Sequence, residues 1–128
     1  MSTRAIIGAL KPDDTVLGVW QWNDGEGLLP LLMENFKTIN DIAPLIKLGV
    51  INLICDDEGF RNLAKWQIDC KMESQGIWHH FGNAHAYQCN DYRGSKPTLY
   101  RNVDEAAGQD INCLYLFDMK TFSWSVVK

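Results

Sequence analysis

With 128 residues, 46% of them apolar and 22% charged, the chain carries the material for one domain with one core. Its 16 acidic against 12 basic residues leave a formal charge of −4, which argues against wrapping nucleic acid, since phosphate contacts need clustered Lys and Arg. No apolar stretch approaches the roughly 18–20 residues of a membrane span.

Residues 4–10 (Arg-Ala-Ile-Ile-Gly-Ala-Leu) are short and apolar and predict a strand. Lys11-Pro12-Asp13-Asp14 supplies turn chemistry, because Pro presets its backbone angle and Asp side chains bond nearby amides. Residues 15–22 are rich in β-branched and aromatic types and predict the second strand of a hairpin. Gly18 within it marks a bulge or a close approach, and Asn23-Asp24-Gly25 breaks the strand. Leu28, Leu31, Leu32 and Phe36 recur at helical spacing, with Pro30 in the first turn, where its missing amide hydrogen costs nothing. A second helix starts after Thr38 or Asn40 as cap, turns Ile42, Leu45, Ile46 and Leu48 inward, and stops at Gly49.

Residues 50–54 read as a short buried strand, and Asp57 as the cap of a helix running to about Trp66 or Ile68. From Cys70 to Tyr100 the pattern loosens: residues 79–83 look turn-like, 84–89 strand-like and 91–97 a polar loop, with pairing resumed at Leu99-Tyr100. Asn102 caps one or two helical turns over 103–108. Residues 111–117 and 121–127 predict a terminal hairpin around Asp118-Met119-Lys120. The order predicts a single α+β domain over residues 1–128: an antiparallel sheet with two consecutive helices packed on it and a small helical insertion.

Four cysteines (Cys55, Cys70, Cys89, Cys113) lack the short spacings of a zinc knuckle or redox pair. The opening Met-Ser-Thr-Arg-Ala carries no secretory pattern, so reduced thiols and a cytosolic setting are expected, with Cys55 and Cys113 as small core residues. His79, His80, His85, Cys89 and Cys70 include zinc's preferred ligand types, but adjacent histidines on a strand point to opposite faces, so no metal and no cofactor are expected. Cys89 with His85 and Asp91 resembles a nucleophile, base and acid, yet an extended strand puts His85 about 13 Å from Cys89. Ser2 as an N-terminal nucleophile is the weaker idea still, and no catalytic residue is assigned.

The remaining polar constellation is an aromatic and acidic one. Trp20, Trp22 and Tyr92 would form an aromatic wall with Asp24 and Arg93 at its rim, extended by Glu26 and Asp91. Aromatics and Arg dominate binding hot spots, and also suit stacking on a nucleobase with Arg93 on its phosphate. Against that stands a structural reading in which Asp24 accepts amide hydrogens at a helix entry.

The order of these features resembles a family of small bacteriophage and prophage proteins. Its members open with a strand similar to Arg4-Ala5-Ile6-Ile7-Gly8, and their second strand runs into an aromatic-Asp-Gly motif, usually His-Trp-Asp-Gly-Tyr-Pro. Trp22-Asn23-Asp24-Gly25 stands in that place, without the family's His, Tyr and Pro. Leu31-Leu32, Asn35-Phe36 and Leu45-Ile46-Lys47-Leu48-Gly49 resemble the next segments. Residues 87–94 loosely match a Tyr-x-x-Asp-x-Arg-Gly-like loop, and Tyr115-Leu116-Phe117 with Trp124-Ser125-Val126 resemble the close. The resemblance covers the first 49 residues and roughly the last 45. It implies a phage origin; with no catalytic signature in the chain, the expectation is an accessory protein in the host cytoplasm that binds and inhibits a bacterial host protein, such as a defence-system component, rather than an enzyme. Alternatives are a sponge for a nucleotide signal, built on Trp22, Asp24, Tyr92 and Arg93, and a small Cys/His hydrolase using Cys89 or His79, His80 and Asp91. Residues 121–127 as an edge strand would allow a homo-oligomer by strand addition.

Overall fold

The structure, a computed structural model, describes residues 3–69 and 76–128, with side chains given except at 66–69. Ser2 and Cys70, considered above, lie outside the described residues. The chain folds as β1 (Ala5–Leu10), β2 (Val16–Gln21), α1 (Leu29–Asn35), α2 (Ile39–Ile46), β3 (Val50–Ile51), β4 (Leu53–Cys55) and α3 (Asp57–Asp69). It continues as β5 (Gly76–Phe81), β6 (Ala84–Cys89), β7 (Thr98–Tyr100), α4 (Val103–Ala107), β8 (Cys113–Asp118) and β9 (Ser123–Val126). This is an α+β fold.

Two sheets carry it. The larger runs β3-β2-β1-β8-β9, with β7 also paired to β2, and the smaller runs β4-β6-β5. The smaller sheet is antiparallel throughout, as expected from the sequence. The larger is mixed: β1–β2 and β8–β9 are hairpins, but β1 lies parallel to β8 and β2 parallel to β3. Non-local return makes the difference, since the chain enters β8 beside β1 only after building the second sheet and α4. β1 is therefore central, and its apolar run fits burial on both faces.

One face of the larger sheet packs Ile7, Val19 and Phe117 against Leu32 and Phe36 of the α1 region and Ile42 and Leu45 of α2. The other packs Ile6, Val16, Leu114 and Leu116 against Ala106 of α4, with Trp20 and Tyr100 alongside. Gly8 and Gly18 face each other across β1–β2, and a Cβ on Gly18 would lie 2.7 Å from Ile6 Cγ2. Close approach rather than a bulge explains Gly18.

Thr38 caps α2 through a reciprocal capping box with Asp41, and Asn102 caps α4 by accepting from the Glu105 amide. At α3 the expectation needs correcting. The capping carboxylate is Asp56, which accepts from the Gly59 amide at 2.8 Å, and Asp57 is left for another partner. Residues 50–54 divide at Asn52 into strands of different sheets: its amide donates to Tyr87, its carbonyl accepts from Asn23, and its Oδ1 accepts from the Cys89 amide. His79, His80 and Phe81 are strand residues of β5, and the turn is confined to Gly82-Asn83, where Gly82 takes a φ of 62°. Among the described residues, no helix is long and apolar enough to cross a membrane.

Candidate functional site

The segment from Trp22 to Leu28 joins the end of β2 to α1, and its backbone is held from several sides. Gln21, fully buried, donates through Nε2 to the carbonyls of Asn23 at 2.7 Å and Asp24 at 3.3 Å. The Gly25 amide donates to Thr3, and a Cβ on Gly25 would sit 2.7 Å from that of Ala5, so only glycine fits. Buried Tyr115 donates its hydroxyl hydrogen to the Gly25 carbonyl at 2.6 Å and accepts from the Leu28 amide at 3.3 Å. Burial, reinforced by Cys113 and Glu26, pushes the Tyr115 phenol up to about 12. It stays a donor at physiological pH.

Asp24 sits in this clamped turn with a φ of 55°, left-handed backbone that a non-glycine residue adopts at a cost. The expectation that it caps the helix is overturned. The α1 cap position is Leu28, which makes no side-chain cap bond, and the Asp24 carboxylate bonds no described residue. Trp22 beside it is 37% exposed, and its ring lies 5.7 Å from that of Trp20, which packs into the core of the α4 face. Glu26 is exposed. One anchored tryptophan thus supports one displayed tryptophan above two acidic side chains.

Beyond the turn opens a cleft of about 400 Å³ lined by Gly27, Leu28, Leu31, Glu34, Cys55 and Asp56, among others. Burial, then the charges of Asp56 and Asp24, pushes the Cys55 thiol up to about 11. It is a protonated thiol at neutral pH and not a nucleophile. With Asp24, Glu26, Glu34 and Asp56 around it, this corner favours a cationic surface.

The loop expected to complete the aromatic wall is tied to β3, which pairs with β2 at Trp20, and not to the tryptophan rings. Asp91 and Tyr92 fall in a short 3₁₀ turn after β6, and Gln88 Nε2 and the Ser95 hydroxyl both donate to the Tyr92 carbonyl. Ser95 and Gln88 also reach the Leu48 carbonyl, tying the loop to the start of β3. Among the described residues, Tyr92 makes no ring contact with Trp20 or Trp22, and Arg93 forms no ion pair with Asp24, Glu26 or Asp91. Trp20, Trp22, Asp24 and Glu26 form one group; Asp91, Tyr92 and Arg93 form another.

A third arrangement emerges only in three dimensions. His85 Nε2 lies 2.6 Å from Asp57 Oδ1, and His85 Nδ1 lies 2.6 Å from His80 Nδ1. An ionised carboxylate only accepts, so His85 carries its hydrogen on Nε2. With both rings neutral, His85 Nδ1 then accepts from His80, and His80 is left with an unshared pair on Nε2. Phe60 stacks on the His85 ring at 4.7 Å and holds its plane. His79 points the other way, to Gln88 Oε1, as strand alternation requires. Cys89 has no part in this relay, since both nitrogens of His85 are occupied. Among the described residues, no three His, Cys, Asp or Glu groups converge to hold a metal ion.

Compared with known proteins, the chain matches no family model, no curated protein and no solved structure.

Proposed function

We propose that this chain is a phage-encoded accessory protein that binds and inhibits a bacterial host factor, acting in anti-defence or host takeover in the host cytoplasm. The phage origin rests on the resemblance of the first strand, the Trp22–Gly25 turn and the terminal hairpin described above. The binding reading rests chiefly on Asp24. Its backbone is held in a strained conformation by Gln21, Gly25 and Tyr115, yet its carboxylate has no hydrogen-bond partner among the described residues. A turn clamped at that cost around a free carboxylate and an exposed Trp22 is a preorganised recognition element. The acidic corner fits a basic surface on the partner.

A tagged pull-down from bacterial lysate, with native mass spectrometry of the recovered material, tests this. The expected result is a stoichiometric host protein, depleted by Trp22→Ala and by Asp24→Asn, which keeps the left-handed turn but removes the charge. Recovery of no protein, or recovery indifferent to both variants, contradicts it. A co-purifying nucleotide lost on Arg93→Ala would instead indicate a sponge.

The Asp57–His85–His80 relay favours a second reading, a small hydrolase in which His80 Nε2 acts as general base. Turnover of p-nitrophenyl acetate or bis(p-nitrophenyl) phosphate, abolished by His80→Ala, would support it. Equal rates for the two proteins would dismiss it.

A further inference from the structure

At the other end of the β1–β2 hairpin, about 20 Å from the Trp22 turn at roughly 3.4 Å per residue, lies a second surface. There α2 and the sheet enclose an apolar groove of about 200 Å³, floored by Leu17, Ile42, Ile46 and Met119. Lys11 and Lys47 line it directly, and Lys96 and Lys120 flank its lining residues Pro97 and Met119. Two lysine side chains of a net acidic chain thus line one apolar pocket. Among the described residues, none of these four lysines lies within ion-pair distance of a carboxylate. Asp13 feels Lys11, but its carboxyl is bonded to Thr15, and Asp118 bonds the Lys120 amide.

We infer that this groove is a docking site for an acidic segment of a protein partner, one large apolar side chain entering the pocket and flanking carboxylates meeting the lysines. Size selects the occupant. A cavity of about 150 Å³ takes a benzene ring, so this one takes a Leu, Met or Phe side chain and is too small for a long acyl chain. Charge selects its setting, because unpaired ammonium groups around an apolar pocket favour anionic neighbours and reject cationic ones. The inference stands on groups separate from the Trp22 turn and holds or fails independently of it.

The probe is a fluorescein-labelled, end-blocked octapeptide with Leu-Phe between two acidic triplets, followed by anisotropy. Binding is expected for this peptide and not for its counterpart with lysine triplets. Combined Lys11→Glu and Lys47→Glu substitutions should weaken it by about tenfold or more, and Ala43→Trp should fill the groove and abolish it. Circular dichroism confirms folding, and the charge-reversal variant carries the test if Ala43→Trp fails to fold. No binding, equal binding of the basic peptide, or affinity unchanged by charge reversal overturns the inference. Displacement by decanoate at concentrations below those at which the acidic peptide binds also overturns it, in favour of a lipid site.

Discussion

Asp24 and Tyr115 define the candidate site at the scale of single residues. Asp24 pays for its left-handed backbone without a compensating side-chain bond, so Asp24→Gly should raise unfolding stability by up to about 1 kcal/mol while weakening partner binding. Denaturant titration beside a binding assay checks both halves; a loss of stability would mean that the carboxylate supports the fold. Tyr115→Phe removes the two hydrogen bonds that clamp Gly25 and Leu28 and should cost about 1–3 kcal/mol, read from the urea midpoint. Cys55, with its thiol pushed up to about 11, should react with iodoacetamide at pH 8 far more slowly than an ordinary thiol, by about a hundredfold on thiolate fraction. Peptide-level mass spectrometry would show it. Sequence made Asp24 visible but not its missing cap bond, because an Asp before a helix is a good cap by every local criterion. What decides otherwise is Gln21 and Tyr115, whose grip on the turn comes from the sheet core.

At the scale of elements, Gln88 is the piece that holds the Asp91–Arg93 loop. Its side-chain amide donates to Leu48, Val50 and Tyr92, and it is buried, so Gln88→Leu removes three hydrogen bonds, although the Leu48 and Tyr92 carbonyls keep the Ser95 hydroxyl as a donor. The expected cost is about 1–3 kcal/mol, with faster tryptic cleavage after Arg93 as the loop loosens. Cleavage at the wild-type rate would show that Ser95 alone anchors the loop. Most elements were legible because their signals are local: the Thr38 cap, Asn102 before α4, and the continuous apolar run of β8. β5 was not, since its residues are half-buried or exposed without strict alternation and its histidines look like turn residues. The His85 relay was hidden for a related reason. Asp56 and Asp57 are equivalent caps in sequence, and only β6 packing beside α3 assigns one to the helix and the other to His85.

The whole molecule places two unlike surfaces at opposite ends of one hairpin, an acidic aromatic turn and a lysine-rimmed groove. Neither pairing could be read from the chain, because the groove draws on segments from Ala9 to Met119 that meet only after folding. Buried Tyr115 and half-buried Cys55 also set a global pH response. Cys55 and Tyr115 are raised from 9.0 and 10.0, so the unfolded chain loses those protons first. Their stabilising effect is whole at neutral pH and is lost as pH rises from about 9 to 11 for Cys55 and from about 10 to 12 for Tyr115. Urea midpoints at pH 7 and pH 10.5 should therefore fall with pH, and the drop above pH 10 should shrink in Tyr115→Phe. A flat profile would show these groups to be solvated.

The central claim is that recognition runs through the clamped turn, and hydrogen–deuterium exchange of the chain with its recovered host partner tests it most directly. New protection over residues 22–28 and the adjoining Cys55–Asp56 corner is the predicted result. A stable complex with that corner exchanging as in the free protein would contradict it.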